Sequence, residues 1–288
     1  MEFSIIVLTR NKRSWTERCL PTLLESRSRD WELIVVDNGS EDGTVEWLQD
    51  FQSRAAAQGV SVRVVANPAN FGCSTARNQG ASLASGRRLV FLDNDVSVRT
   101  SSWLERLNAV FDAVPGAAIV GPKLVYPFPP YRIQFAGGGI TRRGRVVFLG
   151  RGADRLDPRF QQRREVPHVI SACLMIRTEC FQAAGGFDEA FNPVQFEDTD
   201  LCYRVRRLGG RIVYEPSAEM YHYESVTTAG SPDLVNTALV VRHGLLFRRR
   251  WAEAISREPE WQPEEEAAWT PIPTPSVEGI PPPPVLPD

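Results

Sequence analysis

The chain has 288 residues, 42% hydrophobic and 24% charged, the balance of an ordinary globular protein with room for one large α/β domain or two small ones. A net charge of −2 gives no whole-molecule nucleic-acid signature. Five scattered cysteines (Cys19, Cys73, Cys173, Cys180, Cys202) without CxxC or CxxH spacing argue against a disulfide framework and a zinc site.

Apolar strand-like runs recur at Ile5–Leu8, Leu33–Val36, Val62–Val65 and Leu89–Leu92, with helical stretches between them at Ser14–Glu25, Thr44–Ala57 and Ser74–Ala84. Such alternation predicts a mostly parallel sheet flanked by helices. Ligands then bind beyond the carboxyl ends of the strands, which singles out Thr9–Asn11, Asp37–Ser40, Asn67–Gly72 and Asp93–Asp95. Trp103–Val114 reads as a helix, after which the pattern becomes irregular. From Pro127 to Arg164 there are nine Arg against two Asp. An apolar run at His168–Ile176, a turn at Gly185–Gly186, a helix from about Asp198 to Gly209, a strand at Arg211–Tyr214 and a helix over Pro232–Trp251 follow. The last 30 residues hold ten of the 22 prolines, a composition that predicts a mobile or extended tail. No apolar run approaches the ~18–20 residues that span a bilayer. The first residues enter a strand without a signal-peptide layout, so the expected location is cytoplasmic.

Three clusters could carry chemistry. In Asp93-Asn94-Asp95 a buried strand delivers two carboxylates to the ligand edge, as a hard divalent cation requires, although Asx-rich turns also close strands for structural reasons. Asp37-Asn38-Gly39-Ser40 ends another strand, and a carboxylate there can accept the ring N–H of uracil, thymine or guanine. Asp42 or Thr44 behind it suits a helix cap. Phe196-Glu197-Asp198-Thr199-Asp200 places three acids at a helix start, where they fit the helix dipole and where one could remove a hydroxyl proton. His222 comes after the 211–214 strand, and a histidine by itself is more often a satisfied structural residue than a metal ligand.

In this order, Ser4–Asn11, Val35–Thr44, Asn70–Gly86, Leu89–Asp95, Gly185–Phe191, Phe196–Arg204 and Gly210–His222 resemble the family 2 glycosyltransferases, inverting enzymes of the GT-A fold. The resemblance covers about residues 2–251. It implies a GT-A domain over 1–251, with a nucleotide-sugar-binding half at 1–121 and an acceptor-side half with a smaller mixed sheet at 122–251, and a tail at 252–288. It also implies roles. Thr9 and Asn11 line the base and ribose pocket, Asp37 binds the base edge, and Arg77 lies near the donor phosphates. Asp93 and Asn94 contact the donor, Asp95 and His222 hold Mn²⁺ or Mg²⁺, and Asp198 is the general base.

Asn38, where many members have a second Asp, resembles the rhamnosyl- and galactofuranosyl-transferring branches, and Pro193-Val194-Gln195 replaces an aromatic run. The donor is then a UDP-, dTDP- or GDP-linked sugar, the acceptor a glycan or lipid-linked saccharide, and no nucleic acid is involved. Glu197 and the arginines 142, 143, 145, 163 and 164, Arg142 and Arg143 foremost, are candidates for the acceptor side, and a solvated basic face is the alternative. Leu245–Trp251, with three Arg and a Trp, suits either the helix dipole or a peripheral contact at the inner face of a membrane. Two other functions remain open. One is a non-catalytic nucleotide-sugar-binding module, which would be expected to lack the acids. The other is a sugar-1-phosphate nucleotidyltransferase, which would need a glycine-rich loop in place of Leu8–Arg13.

Overall fold

A computed structural model describes residues 1–224, 237–259 and 283–287. In chain order the strands and helices are β1 (Phe3–Thr9), α1 (Arg13–Cys19), β2 (Trp31–Asp37), α2 (Thr44–Ala56), β3 (Ser61–Ala66), α3 (Cys73–Ser82), β4 (Arg88–Asp93), β5 (Val96–Val98), α4 (Trp103–Ala113) and β6 (Ala117–Val125). They continue with β7 (Ile133–Phe135), β8 (Gly138–Ile140), β9 (Val146–Phe148), β10 (Arg164–Glu165), β11 (Cys173–Arg177), α5 (Thr178–Ala183), α6 (Glu197–Arg207), β12 (Arg211–His222), α7 (Thr237–Arg250) and α8 (Ala252–Ser256).

One sheet runs β10-β12-β6-β11-β4-β1-β2-β3, with β5 added to β12 and β7 to β6. β3, β2, β1 and β4 are parallel, β11 is antiparallel to both β4 and β6, and β8–β9 form a separate antiparallel pair. The residues of β2 are all buried, as a parallel strand covered on both faces requires, whereas the exposure of β3 fits its place at the sheet edge. Register does the positioning. Thr9 lies beside Asp37 and Leu8 beside Asp93, so the ends of β1, β2 and β4 form one polar line.

The structure departs from the sequence reading where local signals were weak. The helix expected over 14–25 becomes α1 followed by a 3-10 turn at Leu20–Glu25, because Pro21 has no N–H to continue the ladder. The irregular stretch after Val114 contains β6, a nine-residue interior strand that pairs with both β11 and β12. β12 does not end at Tyr214. It passes an irregularity between Glu215 and Glu219 and continues to His222, whose partner on β5 is Val96. Of the helix expected from Pro232, residues 232–236 lie outside the described residues. Val285 packs partly against the core, and Leu286 exchanges backbone hydrogen bonds with Arg99 and Ser101 (2.7 and 3.0 Å), so 283–287 are docked rather than mobile. Residues 260–282 of the expected tail lie outside the described ones.

A second, smaller apolar cluster of Ile140, Phe191, Tyr203, Phe247, Trp251 and Ile255 fastens α7 and α8 onto α6. It takes up residues assigned above to a membrane face. Trp251 is buried and its Nε1 donates to Asp200 Oδ1 at 2.9 Å, while Arg250 pairs with Asp188 and Asp200. No helix among the described residues is long and apolar enough to cross a membrane.

Candidate active site

Asp93 closes β4, Asp95 follows two residues later, and His222 closes β12. One ligand atom from each lies within 4.8 Å of the others. His222 Nε2 stands 3.4 Å from Asp95 Oδ1, and Nδ1 contacts Gln134 Oε1 at 2.6 Å. Burial raises the pKa of Asp93 and the neighbouring Asp95 raises it further, against the lowering effect of Arg77. Burial also depresses the His222 imidazolium, but the facing Asp95 more than offsets it and the net shift is upward. Two carboxylate oxygens and an imidazole nitrogen, crowded together, are a donor set that fits Mn²⁺ or Mg²⁺.

Beside this cluster, a pocket of about 110 Å³ is lined by Thr9, Asn38, Asn70, Arg77, Asp93 and Asn94, among others. Its polar walls are fixed by one another. Asn94 Nδ2 donates to Thr9 Oγ1 (3.2 Å) and Thr16 Oγ1 (3.1 Å). Asp37 is fully buried and accepts the Ser40 amide at 2.9 Å and its hydroxyl, while Asn11 donates its own amide to Ser40 Oγ (2.6 Å) and accepts from the Glu41 amide (2.9 Å). Asp37 and Asn11 thus lock the 37–44 loop and do not line the pocket. Asn38 explains its own departure from the family pattern. Its amide donates to Asn70 Oδ1 and the Gly72 carbonyl, and its oxygen accepts from Asn67 and the Phe71 amide. An aspartate could not donate. Gly72, at φ +86°, is pressed against Asn192, which bonds the Ser74 amide and brings Pro193 and Val194 to the pocket.

Arg77 is 4% exposed and spans two regions, donating to Asp93 Oδ1 at 2.7 Å and to Glu197 Oε1 at 2.9 Å. Glu197 is therefore a buried partner of Arg77 and does not line the larger cavity that follows.

Asp198, the next residue, is half-buried. Its Oδ2 accepts from the Ser171 amide (3.1 Å) and its Oδ1 from the amide and hydroxyl of Thr199 (2.6 and 3.1 Å). Burial, then the adjacent Glu197, pushes its pKa up to about 6, the range in which a carboxylate can both exist at neutral pH and take a proton. Immediately before it, Gln195 and Phe196 hold φ of 87° and 72°, left-handed values that cost side-chain-bearing residues strain, and the Phe196 ring rests on Phe247.

Asp198 opens into a cavity of about 860 Å³ walled by Phe148, Ile170, Phe196, Val240, Val241 and Leu245, with Arg145, Arg151 and Arg248 also lining it. Arg151 is paired with Glu224. Arg142 and Arg143 are exposed and outside this lining, Arg142 reaching the Glu258 carbonyl at 3.4 Å. Arg163 is paired with Glu215, and Arg164 donates to the Ala136 carbonyl. Of the five arginines considered above, only Arg145 lines the cavity. Their place on hairpin turns and strand edges could not be read from charge count.

Sequence reasoning also missed Gln134, although a lone amide between Ile133 and Phe135 is the signal a buried polar contact leaves. Asp200, the third acid of that helix start, is fully buried and joins Arg204, Arg250 and Trp251.

A parallel sheet whose strand ends carry an acid pair, joined to a mixed extension through the antiparallel β11, is the architecture of the GT-A fold. The mannosyltransferase PcManGT from Pyrobaculum calidifontis, solved with GDP-Man and Mn²⁺, superposes with a TM-score of 0.60 at 20% identity over 92% of this chain and 67% of its own. Residues 4–184 match the Glycosyl transferase family 2 profile, and the chain belongs to that family.

The Sinorhizobium fredii protein y4gI is 33% identical over 90% of this chain and 28% of its own length. The Mycobacterium tuberculosis N-acetylglucosaminyl-diphospho-decaprenol L-rhamnosyltransferase is 28% identical over 79% of this chain and 78% of its own. The chain spans less than half the length of the first curated relatives it matches.

Proposed function

We propose that this chain transfers a sugar, with inversion, from a nucleotide-diphosphate donor to an acceptor hydroxyl. One observation carries the reading: Arg77 ties a cation-ready cluster (Asp93, Asp95, His222) to the helix start that presents Asp198. Residues 1–121 then form the donor half and 122–251 the acceptor half. The nucleotide occupies the pocket between Thr9, Asn38 and Asn94, with Asp37 and Asn11 shaping the loop that meets the base. Asp95 and His222, with Asp93 alongside, would hold a divalent cation, which would supply positive charge for a departing diphosphate. Asp198 accepts the acceptor's hydroxyl proton on a carboxylate oxygen, and the freed oxygen attacks the anomeric carbon from the face opposite the leaving group, which inverts the centre. The Ser171 and Thr199 bonds aim that carboxylate, and Glu197 keeps its proton affinity high while neutralising Arg77.

The likeness to the rhamnosyltransferase along most of both chains favours a deoxyhexosyl donor and a lipid-linked saccharide acceptor. The apolar walls of the larger cavity, with Arg145 and Arg248 on its lining, suit an acceptor of that amphiphilic, anionic kind. With Trp251 and Arg250 engaged inside the fold, any contact with the inner face of a membrane falls to Val241, Leu245, Arg248 and Arg249. The test is a panel of UDP-, dTDP- and GDP-sugars with Mn²⁺, read by thermal shift and by release of nucleoside diphosphate. A cation-dependent shift and slow hydrolysis with one donor is the expected result. A stabilising nucleotide that is never turned over, even with lipid-linked acceptors present, would favour a binding module instead.

A further inference from the structure

We infer that Gln134 is a positioning residue for the cation site, fixing the tautomer and direction of His222. The inference rests on the assignment of His222 to that site. Gln134 is 1% exposed in a three-residue strand whose other members, Ile133 and Phe135, are also buried. Side chains alternate along a strand, so the amide leaves on the face opposite its two apolar neighbours. β7 and β12 both pair with the end of β6, through Val125, which brings Gln134 within reach of His222.

The amide makes two bonds to the same residue. Nε2 donates to the His222 carbonyl at 3.4 Å, and Oε1 lies 2.6 Å from the imidazole Nδ1. These contacts determine each other. A carbonyl oxygen only accepts, so the NH₂ end must face it. The amide oxygen must then face Nδ1, and Nδ1 must carry the ring proton. Nε2 is the nitrogen that faces Asp95, 3.4 Å away, and Asp93, and in the neutral ring its lone pair is the one a cation there would take. Without the amide the ring could turn about its side-chain bonds or shift its proton to Nε2, and in either case the nitrogen that faces the two carboxylates would cease to be a donor to a cation. Outer groups that orient a ligating histidine in this way typically matter by about 10–100-fold in metal affinity.

The experiment titrates Mn²⁺ alone into the full chain and counts the free aquo ion by electron paramagnetic resonance. It compares the unaltered protein with Gln134→Met, Gln134→Glu and His222→Ala, and takes circular dichroism and Tm for each. Methionine keeps the bulk and removes both bonds, and its Kd for Mn²⁺ should rise about 10–100-fold with the fold retained. Glutamate restores an acceptor for Nδ1–H and should recover most of the affinity, which a merely space-filling role would not predict. Should Gln134→Met bind Mn²⁺ like the unaltered protein while His222→Ala binds weakly, the positioning role is wrong and the site assignment stands. If His222→Ala also binds normally, the site assignment itself fails and takes this inference with it.

Discussion

Around the smaller pocket Thr9, Asn11, Asp37, Asn38 and Asn94 are each held by neighbouring side chains or loop amides, whereas the cavity beside Asp198 is more than seven times larger in volume and walled mainly by Phe148, Ile170, Phe196, Val240 and Leu245. The first arrangement is rigid and specific before any ligand arrives, because each polar group already has its geometry set. The second recognises by shape and apolar contact, and its polar specificity rests on few residues. On the function proposed above, the first suits a constant ligand, a nucleotide, and the second an acceptor that can differ between relatives.

The contrast can be broken most severely at the cation cluster. Asp95→Ala, or EDTA added to the unaltered chain, should lower transfer by on the order of 10³-fold or more, since a cation at a departing diphosphate is worth several kcal/mol. Full activity in EDTA would remove the cation from the reading. Next is the base. Asp198→Asn should cost about 10²–10⁴ in kcat and leave nucleoside-diphosphate affinity by calorimetry unchanged. Glu197→Gln is the companion measurement. If it is the dead variant and Asp198→Asn remains active, the base is misassigned by one residue.

The pH profile sharpens the same point. Asp198 must be deprotonated to act, so with its pKa held up to about 6 the acceptor kcat/KM should fall as pH drops through that value and level off above it. A profile flat from pH 7 to 5 would exclude this carboxylate.

Smaller effects test the acceptor side. Arg145 and Arg248 are exposed, so neutralising both should raise the KM of an anionic acceptor by only ~2–10-fold at low salt. Arg142→Gln with Arg143→Gln should leave it unchanged. The smallest change is removal of residues 260–288, which frees the Leu286 docking site on Arg99 and Ser101. Tm should drop by roughly 2–4 °C and kcat should be retained.

The same division governs what could be read from the sequence. β1, β2 and β4 are short apolar runs that stop at polar residues, and their ends place Thr9, Asp37 and Asp93 from local pattern alone. β6 was invisible because Gly121, Pro122 and Lys123 interrupt it, yet Lys123 is buried there by bonding Glu219 and Gln161. His222 ends a strand rather than following one, since Pro216 and Ser217 resemble a terminus and pairing with β5 and the end of β6 carries β12 past them. Asp37 and Asn11 were assigned to a ligand, and their observed bonds are to Ser40 and Glu41. Residue type can nominate a polar side chain, but which partner satisfies it depends on contacts between distant loops.

The Arg77 bridge has a consequence for how such chains can be recombined. Its guanidinium comes from residues 1–121 and one of its two carboxylates, Glu197, from residues 122–251. A chimera that grafts residues 122–251 of a relative onto residues 1–121 of this chain keeps the Arg77 bridge only if the graft carries an acid opposite Arg77. Lacking one, it buries a cation with half its charge partners missing, at a cost of about 3–5 kcal/mol. Exchange at this seam therefore has to preserve the ion pairs that cross it, Arg77–Glu197 and Arg99–Glu219 among them.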